Sequence, residues 1–368
     1  MRPLFEKVTI IGVGLIGGSM GLAIRGWNLA NQVTGVDTDL ANLELALELE
    51  AVHRISQNNL AAVADADLVV IATPVGLTPG LVSEIAPYLR QGCIVTDVGS
   101  TKADVVNQVE RLMPLGTSFI GGHPMTGAET AGVKGADRYL FENAIYILTP
   151  SKNTEKKALE KMKMLIEGLG ARCIELDPQE HDIMVAAVSH LPHLVATALV
   201  NTASELDQEY DGLLMLAAGG FRDTTRVASG NPLMWKDICL TNKESILKAL
   251  DKFAEALERA RTLVERCDDL GLKREFEQAR ELRKNIPSKI KGYWPQAFEI
   301  VVTVPDKPGI IGNLANLLGK EGININDIEI LRVREGEGGT IRLAFGSEDD
   351  QTNAVEALRK SGLIVNKR

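Results

Sequence analysis

The chain has 368 residues, 45% of them hydrophobic, which is enough for two or three domains with cores of ordinary size. Its net charge of −9 argues against a general nucleic-acid or anionic-membrane surface, while leaving room for a local basic pocket. Cys93, Cys173, Cys239 and Cys267 are scattered without a CxxC pair, a spacing that fits neither a zinc site nor a disulfide framework and points to a reducing compartment. The N-terminus runs directly into a strand-like segment with no secretory signal pattern, and no apolar run is expected to reach bilayer length. The expectation is a cytoplasmic protein with no membrane, nucleic-acid or metal partner.

In chain order, KVTII (7–11) is a short apolar strand, and GVGLIGGS leads from it into a helix ending near Gly26. Strands follow at Val33–Val36, ending at Asp37, and at Leu68–Ala72, stopped by Thr73-Pro74. Further strands are read at Cys93–Val98, at Phe119–Gly122 entering a His-Pro loop, at Ala144–Leu148 and at Cys173–Leu176. Each gap has helical length and period. This alternation predicts an α/β domain over residues 1–178, a Rossmann-type doubly wound parallel sheet with helices on both faces.

Beyond Pro178 the texture is helical, giving an all-helical middle domain over residues 179–285. Val185–Val200 is apolar nearly all round, which reads as a buried helix at a subunit interface and predicts a homodimer. Leu250–Cys267 is a long amphipathic helix. Prolines, a glycine and lysines then break the pattern, marking a linker at 286–296. FEIVVTV, a PDKPG turn, IIGNLANLLGKEG, the strand ININD, an LRVRE/TIRLAF hairpin, a helix at 350–361 and a last strand follow. That β-α-β-β-α-β order over residues 297–368 is a ferredoxin-like α+β domain.

Gly12, Gly14 and Gly17, with Leu15 and Ile16 in the same turn, form GxGxxG between a strand and a helix. The glycines serve a tight turn, close approach to a pyrophosphate, and close helix–strand contact, while the helix N-terminus offers unpaired N–H groups. Asp37 lies 20 positions beyond Gly17, where a carboxylate bonds a ribose 2′-hydroxyl and repels a 2′-phosphate. NAD is therefore the expected cofactor, with Thr73 and Pro74 lining its nicotinamide side.

DVGSTK (97–102) and HPMTGAE (123–129) sit at predicted carboxyl ends of strands, where ligands bind in open α/β sheets. The helical domain adds SHLPH (189–193), whose i,i+4 spacing puts Ser189 and His193 on one face, and FRDTTR (221–226), where Arg222 and Arg226 share a face. Two arginines suit a substrate with carboxylates, and a histidine beside a hydroxyl suits removal of an alcohol proton during hydride transfer. Lys102 reads as a solvated helix-start residue, His190 as a packed or capping one, and Trp235 as core.

Taken together, GVGLIGGS, DVGSTK, HPMTGAE, SHLPH and GGFRDTTR resemble the prephenate dehydrogenases of tyrosine biosynthesis, over roughly residues 7–285. The tail, VTVPDKPGIIGNLANLLGKEGININDI, resembles an ACT domain, as in the ACT-bearing bacterial branch of that family. The resemblance implies oxidative decarboxylation of prephenate to 4-hydroxyphenylpyruvate with reduction of NAD. It implies that His123 takes the ring hydroxyl's proton, that Ser100 orients His123, and that Arg226 binds the ring carboxylate. It further implies that His193, Ser189 and Arg222 shape the substrate pocket and that Glu129 stands at its mouth. In the tail it implies a tyrosine-type effector near Asp306, Pro308, Gly309 and Asn326, with feedback regulation. Ala128 and Arg222 depart from the family pattern, which more often has a hydroxyl-bearing residue and a lysine there. Arogenate dehydrogenase and a non-enzymatic NAD-binding amino-acid sensor remain open alternatives. A β-hydroxyacid dehydrogenase would place a catalytic lysine in the helical domain, and SHLPH and FRDTTR offer none.

Overall fold

The computed structural model describes residues 3–127, 132–285, 298–305, 307–334 and 338–367. They form two compact units, divided between Lys291 and Gly292.

The first unit is built on an eight-stranded sheet. Its strands are β1 (Phe5–Ile11), β2 (Ala30–Val36), β3 (Arg54–Ser56), β4 (Leu68–Ile71), β5 (Ile94–Asp97), β6 (Ser118–Pro124), β7 (Ile145–Thr149) and β8 (Arg172–Glu175), in the order β3-β2-β1-β4-β5-β6-β7-β8. From β3 to β6 every pairing is parallel. Residues Leu68 to Ile71 show why: all four are buried, because helices cover both faces of the sheet. Leu68 and Val70 join the core under the helices Leu15–Gly26 and Lys156–Gly168, while Val69 and Ile71 face Val82, Ile85 and Val105 on the other side.

Two details depart from the sequence reading. β3, an Arg-Ile-Ser edge strand, is too short and polar to show in an apolar pattern. β7 runs antiparallel to β6, with β8 parallel to β7, so the sheet is not parallel throughout. The gap before β7 contains, among the described residues, a 3₁₀ turn at Val133–Gly135 and no α-helix. Lacking a crossover helix, the chain returns beside β6 in the opposite direction.

The helical part carries Pro178–Val185, a π turn at Ala186–His190, Leu191–Glu209, Gly219–Thr225, Pro232–Thr241, Lys243–Glu265 and Asp269–Lys284. Pro192 has no N–H to give to the preceding turn, and the chain there widens into the π turn and continues as helix. The expected burial of Val185–Val200 is only partial. Val185, Ala186, His190, His193 and Ala196 are buried within the chain, whereas Val188 is 71% exposed and Leu199 and Val200 also face outward. One correction follows for hydropathy. Across Pro178–Glu209 an 18-residue window reaches a mean hydropathy of 1.8, so one helical run is long and apolar enough to cross a bilayer by length and composition. Its inner face carries the buried polar side chains His181, Asp182, His190 and His193 beside Val185, Ala186 and Ala196, while Ile183, Met184, Val188, Leu199 and Val200 face outward.

The second unit has β9 (Phe298–Val304), the helix Ile310–Lys320, β10 (Asp327–Arg334), β11 (Gly338–Phe345), the helix Glu348–Lys360 and β12 (Ile364–Lys367). Its antiparallel sheet has the order β10-β11-β9-β12. Ile300, Val302, Leu314, Leu318, Leu343 and Leu358 form its core. The ININD segment is a strand only from Asp327 onward; residues 323–326 precede it outside any helix or strand. Gly309, at φ 84°, is the residue before the first helix, a left-handed turn that favours glycine. Pro308, Gly309 and Asn326 are exposed, with the Asn324 side-chain amide donating to Oδ1 of Asn326 at 2.8 Å. Asp306 lies outside the described residues.

Candidate functional site

The carboxyl ends of β1 and β2 build a dinucleotide cradle. Gly12 takes φ 92°, and a Cβ there would sit 2.6 Å from the carbonyl oxygen of Ala72. A Cβ at Gly17 would meet the Gly12 carbonyl oxygen at 2.1 Å, so this turn closes only on glycine. Gly14 is different: nothing lies within 4 Å of a Cβ built on it, and no side chain caps the helix Leu15–Gly26 that begins beside it. The first N–H groups of that helix thus face open space, as a pyrophosphate requires. Asp37 closes the cradle on the β2 side. Its Oδ2 accepts from Val13 N at 3.0 Å and Asn42 Nδ2 at 3.1 Å, and its Oδ1 accepts from Asp39 N. Thr73 packs its methyl group toward Gly12, and its buried Oγ1 has no hydrogen-bond partner among the described residues; Pro74 is exposed beside it. These residues fit a dinucleotide with a free ribose 2′-hydroxyl.

Three strand spacings of about 4.8 Å carry the same edge from β1 to β6, roughly 14 Å away. Here His123, 9% exposed, is the last residue but one of β6. Gly122 before it lets β6 approach β5, because a Cβ would stand 2.6 Å from the Asp97 carbonyl oxygen. Asp97 is fully buried and accepts from Gly122 N, Gly99 N and the Lys102 ammonium. Lys102 is therefore not a solvated residue but the buried partner of Asp97. Burial lowers its pKa, and the Asp97 carboxylate opposes that shift.

The helix Ala103–Glu110 starts at Lys102 with no local side-chain cap. Its first N–H groups are satisfied from far along the chain: Asp182 accepts from Lys102 N at 2.8 Å and Ala103 N at 2.9 Å. The same carboxylate accepts from His181 Nδ1 at 2.7 Å, and His181 Nε2 lies 2.8 Å from His123 Nδ1. The helical part thereby locks onto the sheet edge at the residue predicted to do chemistry. Thr101 and Thr241 bond across the same junction at 2.8 Å, and Asn242 donates to the Asp182 carbonyl while lying 3.2 Å from His190 Nδ1. Burial, then the neighbouring His181, Lys102 and His190, hold the His123 pKa well below the ordinary histidine value. His190 is likewise lowered, to about 4, chiefly by burial.

His193 stacks on Trp235, with centroids 3.6 Å apart and planes at 10°. Gly230 makes this possible, because a Cβ there would sit 2.5 Å from Trp235 Nε1. Trp235 is thus a half-buried wall of the His193 site rather than plain core. Ser189 is half-buried in the π turn, whose wider pitch breaks the simple four-residue spacing to His193. Arg222 lies in the helix Gly219–Thr225 and Arg226 opens the 3₁₀ turn after it; both are exposed, and the turn's Val227 backbone hydrogen-bonds His193. Ser100 is half-buried at the same edge as His123 but makes no hydrogen bond to it; the ring is held by His181 instead. Glu129 and Ala128 lie outside the described residues.

His181 and Asp182 were not singled out from sequence. One signal was available: His53 is the only one of the chain's five histidines that does not belong to this cluster.

Comparisons with known proteins agree with this arrangement. Residues 20–175 match the family model described as prephenate dehydrogenase, nucleotide-binding domain, residues 177–278 the prephenate dehydrogenase, dimerization domain, and residues 298–362 the ACT domain. The prephenate dehydrogenase of Bacillus subtilis (strain 168) is 38% identical over 359 residues, covering 97% of each chain. The crystal structure of prephenate dehydrogenase from A. aeolicus in complex with hydroxyphenyl propionate and NAD+ superposes with a TM-score of 0.73 at 33% identity, covering 76% of this chain and 98% of that one. Synechocystis arogenate dehydrogenase superposes at 0.67 with 32% identity, covering 76% and 99%. With its NAD-type cradle and buried histidine at the sheet edge, this chain belongs to the prephenate dehydrogenase family of NAD-dependent oxidoreductases.

Proposed function

We propose that the protein converts prephenate to 4-hydroxyphenylpyruvate and carbon dioxide, in the cytoplasm, as a step toward tyrosine. The observation that carries this reading is His123: buried, with Nδ1 tied to His181 and Nε2 without a protein partner among the described residues, on the edge that bears the dinucleotide cradle. The cradle of Gly12, Gly14, Leu15, Ile16 and Gly17, with Asp37 on the ribose side and Thr73-Pro74 toward the nicotinamide, would hold NAD. When bound, NAD supplies the hydride acceptor.

His123 takes the proton of the ring hydroxyl as the C–H bond on the same carbon breaks. Cleavage of the ring carboxylate as carbon dioxide sends its bonding pair through the ring to the oxygen. His123 then returns its proton there, giving the phenol, so one hydride and one carbon dioxide leave with no net proton. The ring becomes aromatic in this step, so the protein's task is mainly positioning and proton handling.

Arg226 is the residue we assign to the ring carboxylate, through a charge-assisted fork, with Arg222 adding positive charge. Ser189, His193 and Trp235 shape the pocket on the helical side, and Ser100 meets the substrate hydroxyl. Arg226→Ala is expected to raise the KM for prephenate roughly 10–100-fold with a smaller change in kcat. An unchanged KM would reject the assignment. The outward apolar face of Leu191–Glu209 supports a homodimer through the helical parts. Light scattering at micromolar concentration should give twice the chain mass; a monomer mass would count against it.

Regulation by tyrosine at Asp306, Pro308, Gly309 and Asn326 completes the reading. Initial rates with prephenate or arogenate, with NAD or NADP, and with or without tyrosine test it. Prephenate with NAD, slowed by tyrosine, is the expected best pair. Faster turnover of arogenate would move the substrate assignment to that compound, and indifference to tyrosine would remove the effector.

A further inference from the structure

We infer that Asp182 and His181 are positioning residues for His123, fixing which of its ring nitrogens takes the substrate proton. The inference rests on the reading of His123 as the base and deepens it. The three groups form one chain, from Asp182 Oδ1 to His181 Nδ1 at 2.7 Å and from His181 Nε2 to His123 Nδ1 at 2.8 Å. His181 and Asp182 are 0% and 1% exposed, so water does not compete for these bonds.

The direction of the chain follows from its end. The Asp182 carboxylate accepts two backbone N–H groups, from Lys102 and Ala103, and can only accept from His181 as well. His181 therefore carries its proton on Nδ1, and its Nε2 offers a lone pair. With one proton on each ring, His123 must donate from Nδ1, which leaves its Nε2 as a lone pair for the substrate hydroxyl. When Nε2 takes that proton, the new imidazolium still donates through His181 toward the buried carboxylate. This is the orienting logic of an Asp–His pair beside a nucleophilic serine, lengthened by one imidazole.

The surrounding charges make the arrangement necessary. Burial disfavours a charged His123, as do a charged His181, the Lys102 ammonium from the loop after β5 and His190 from the π turn. Asp97 on β5 is matched by Lys102. Asp182 is the remaining carboxylate of the cluster, and it reaches His123 only through His181. A His181 carrying two protons would reverse the chain and leave His123 protonated on Nε2, unable to act.

Asp182 also caps the helix Ala103–Glu110, so its replacement mixes two effects, and His181 is the residue to change. In His181→Phe, which removes both bonds, kcat is expected to fall on the order of 100-fold while both KM values stay within about threefold. His181→Gln can still accept from His123 Nδ1–H and should recover part of kcat; it also serves if the Phe variant does not fold. His123→Asn and the double variant complete a cycle, in which His181→Phe should cost nothing further once His123 is gone.

Unchanged kcat in a folded His181 variant, or full additivity in the double variant, would each overturn the inference. Full turnover in His123→Asn alone would instead remove the reading of His123 as base. The two failures are thereby separate.

Discussion

His123→Asn is expected to lower kcat by roughly 10²–10⁴-fold, the usual worth of a positioned general base, while leaving the KM for NAD nearly unchanged. The separation follows from distance along the sheet edge: His123 lies at the carboxyl end of β6, whereas the proposed nucleotide cradle sits after β1 and β2. The pH profile carries a second part of the expectation. As the proposed base His123 acts in its neutral form, and burial followed by nearby positive charge holds its pKa well below the ordinary histidine value. The group therefore stays deprotonated as pH falls through the ordinary histidine range, and the acid limb of kcat/KM should lie below that range. Steady-state rates from pH 4.5 to 8, roughly the span over which histidines titrate, would show it. Near-normal turnover in the Asn variant, or a limb at or above the ordinary value, would reject His123 as the base.

Gly14→Val should abolish useful NAD binding without unfolding the protein. Gly14 has φ −84° and ψ −153°, an extended conformation open to any residue, and a Cβ there meets nothing within 4 Å. The side chain would instead fill the space above the first turn of the helix, where a pyrophosphate approaches the backbone. A loss of about 3 kcal/mol of contact corresponds to a KM for NAD raised more than 100-fold, with the melting temperature of the nucleotide-free protein held within a few degrees. Gly17 gives the contrasting case. A Cβ there collides with the Gly12 carbonyl oxygen, so its replacement should disturb the fold as well as binding. Retained NAD affinity in Gly14→Val would place the dinucleotide elsewhere.

Local pattern made the sheet legible wherever a strand is buried on both faces, since KVTII and LVVI are continuous apolar runs. β3 escaped because an edge strand of three residues needs little apolar surface. The reversal at β7 escaped because strand direction depends on the connection, and residues 125–144 carry no pattern that distinguishes a winding loop from a crossover helix. Motif spacing singles out the glycine turn and His123. It could not find the His181–Asp182 pair, because that pair works through contacts about 60 and 80 positions away in sequence. Lys102 was misread for the same reason: a lysine at a helix start is ordinarily solvated, and only the fold shows it sealed against Asp97. Val185–Val200 was read correctly as apolar, but which half of the helix faces the chain's own core was settled by the buried histidines on one side.

The most direct test of the account is the stoichiometry of the reaction with prephenate and NAD, following NADH by absorbance and released carbon dioxide in the same sample. The account predicts equal molar amounts of the two, formed together, with 4-hydroxyphenylpyruvate as the organic product. NADH without carbon dioxide, or neither product from a folded protein that binds NAD, would contradict it.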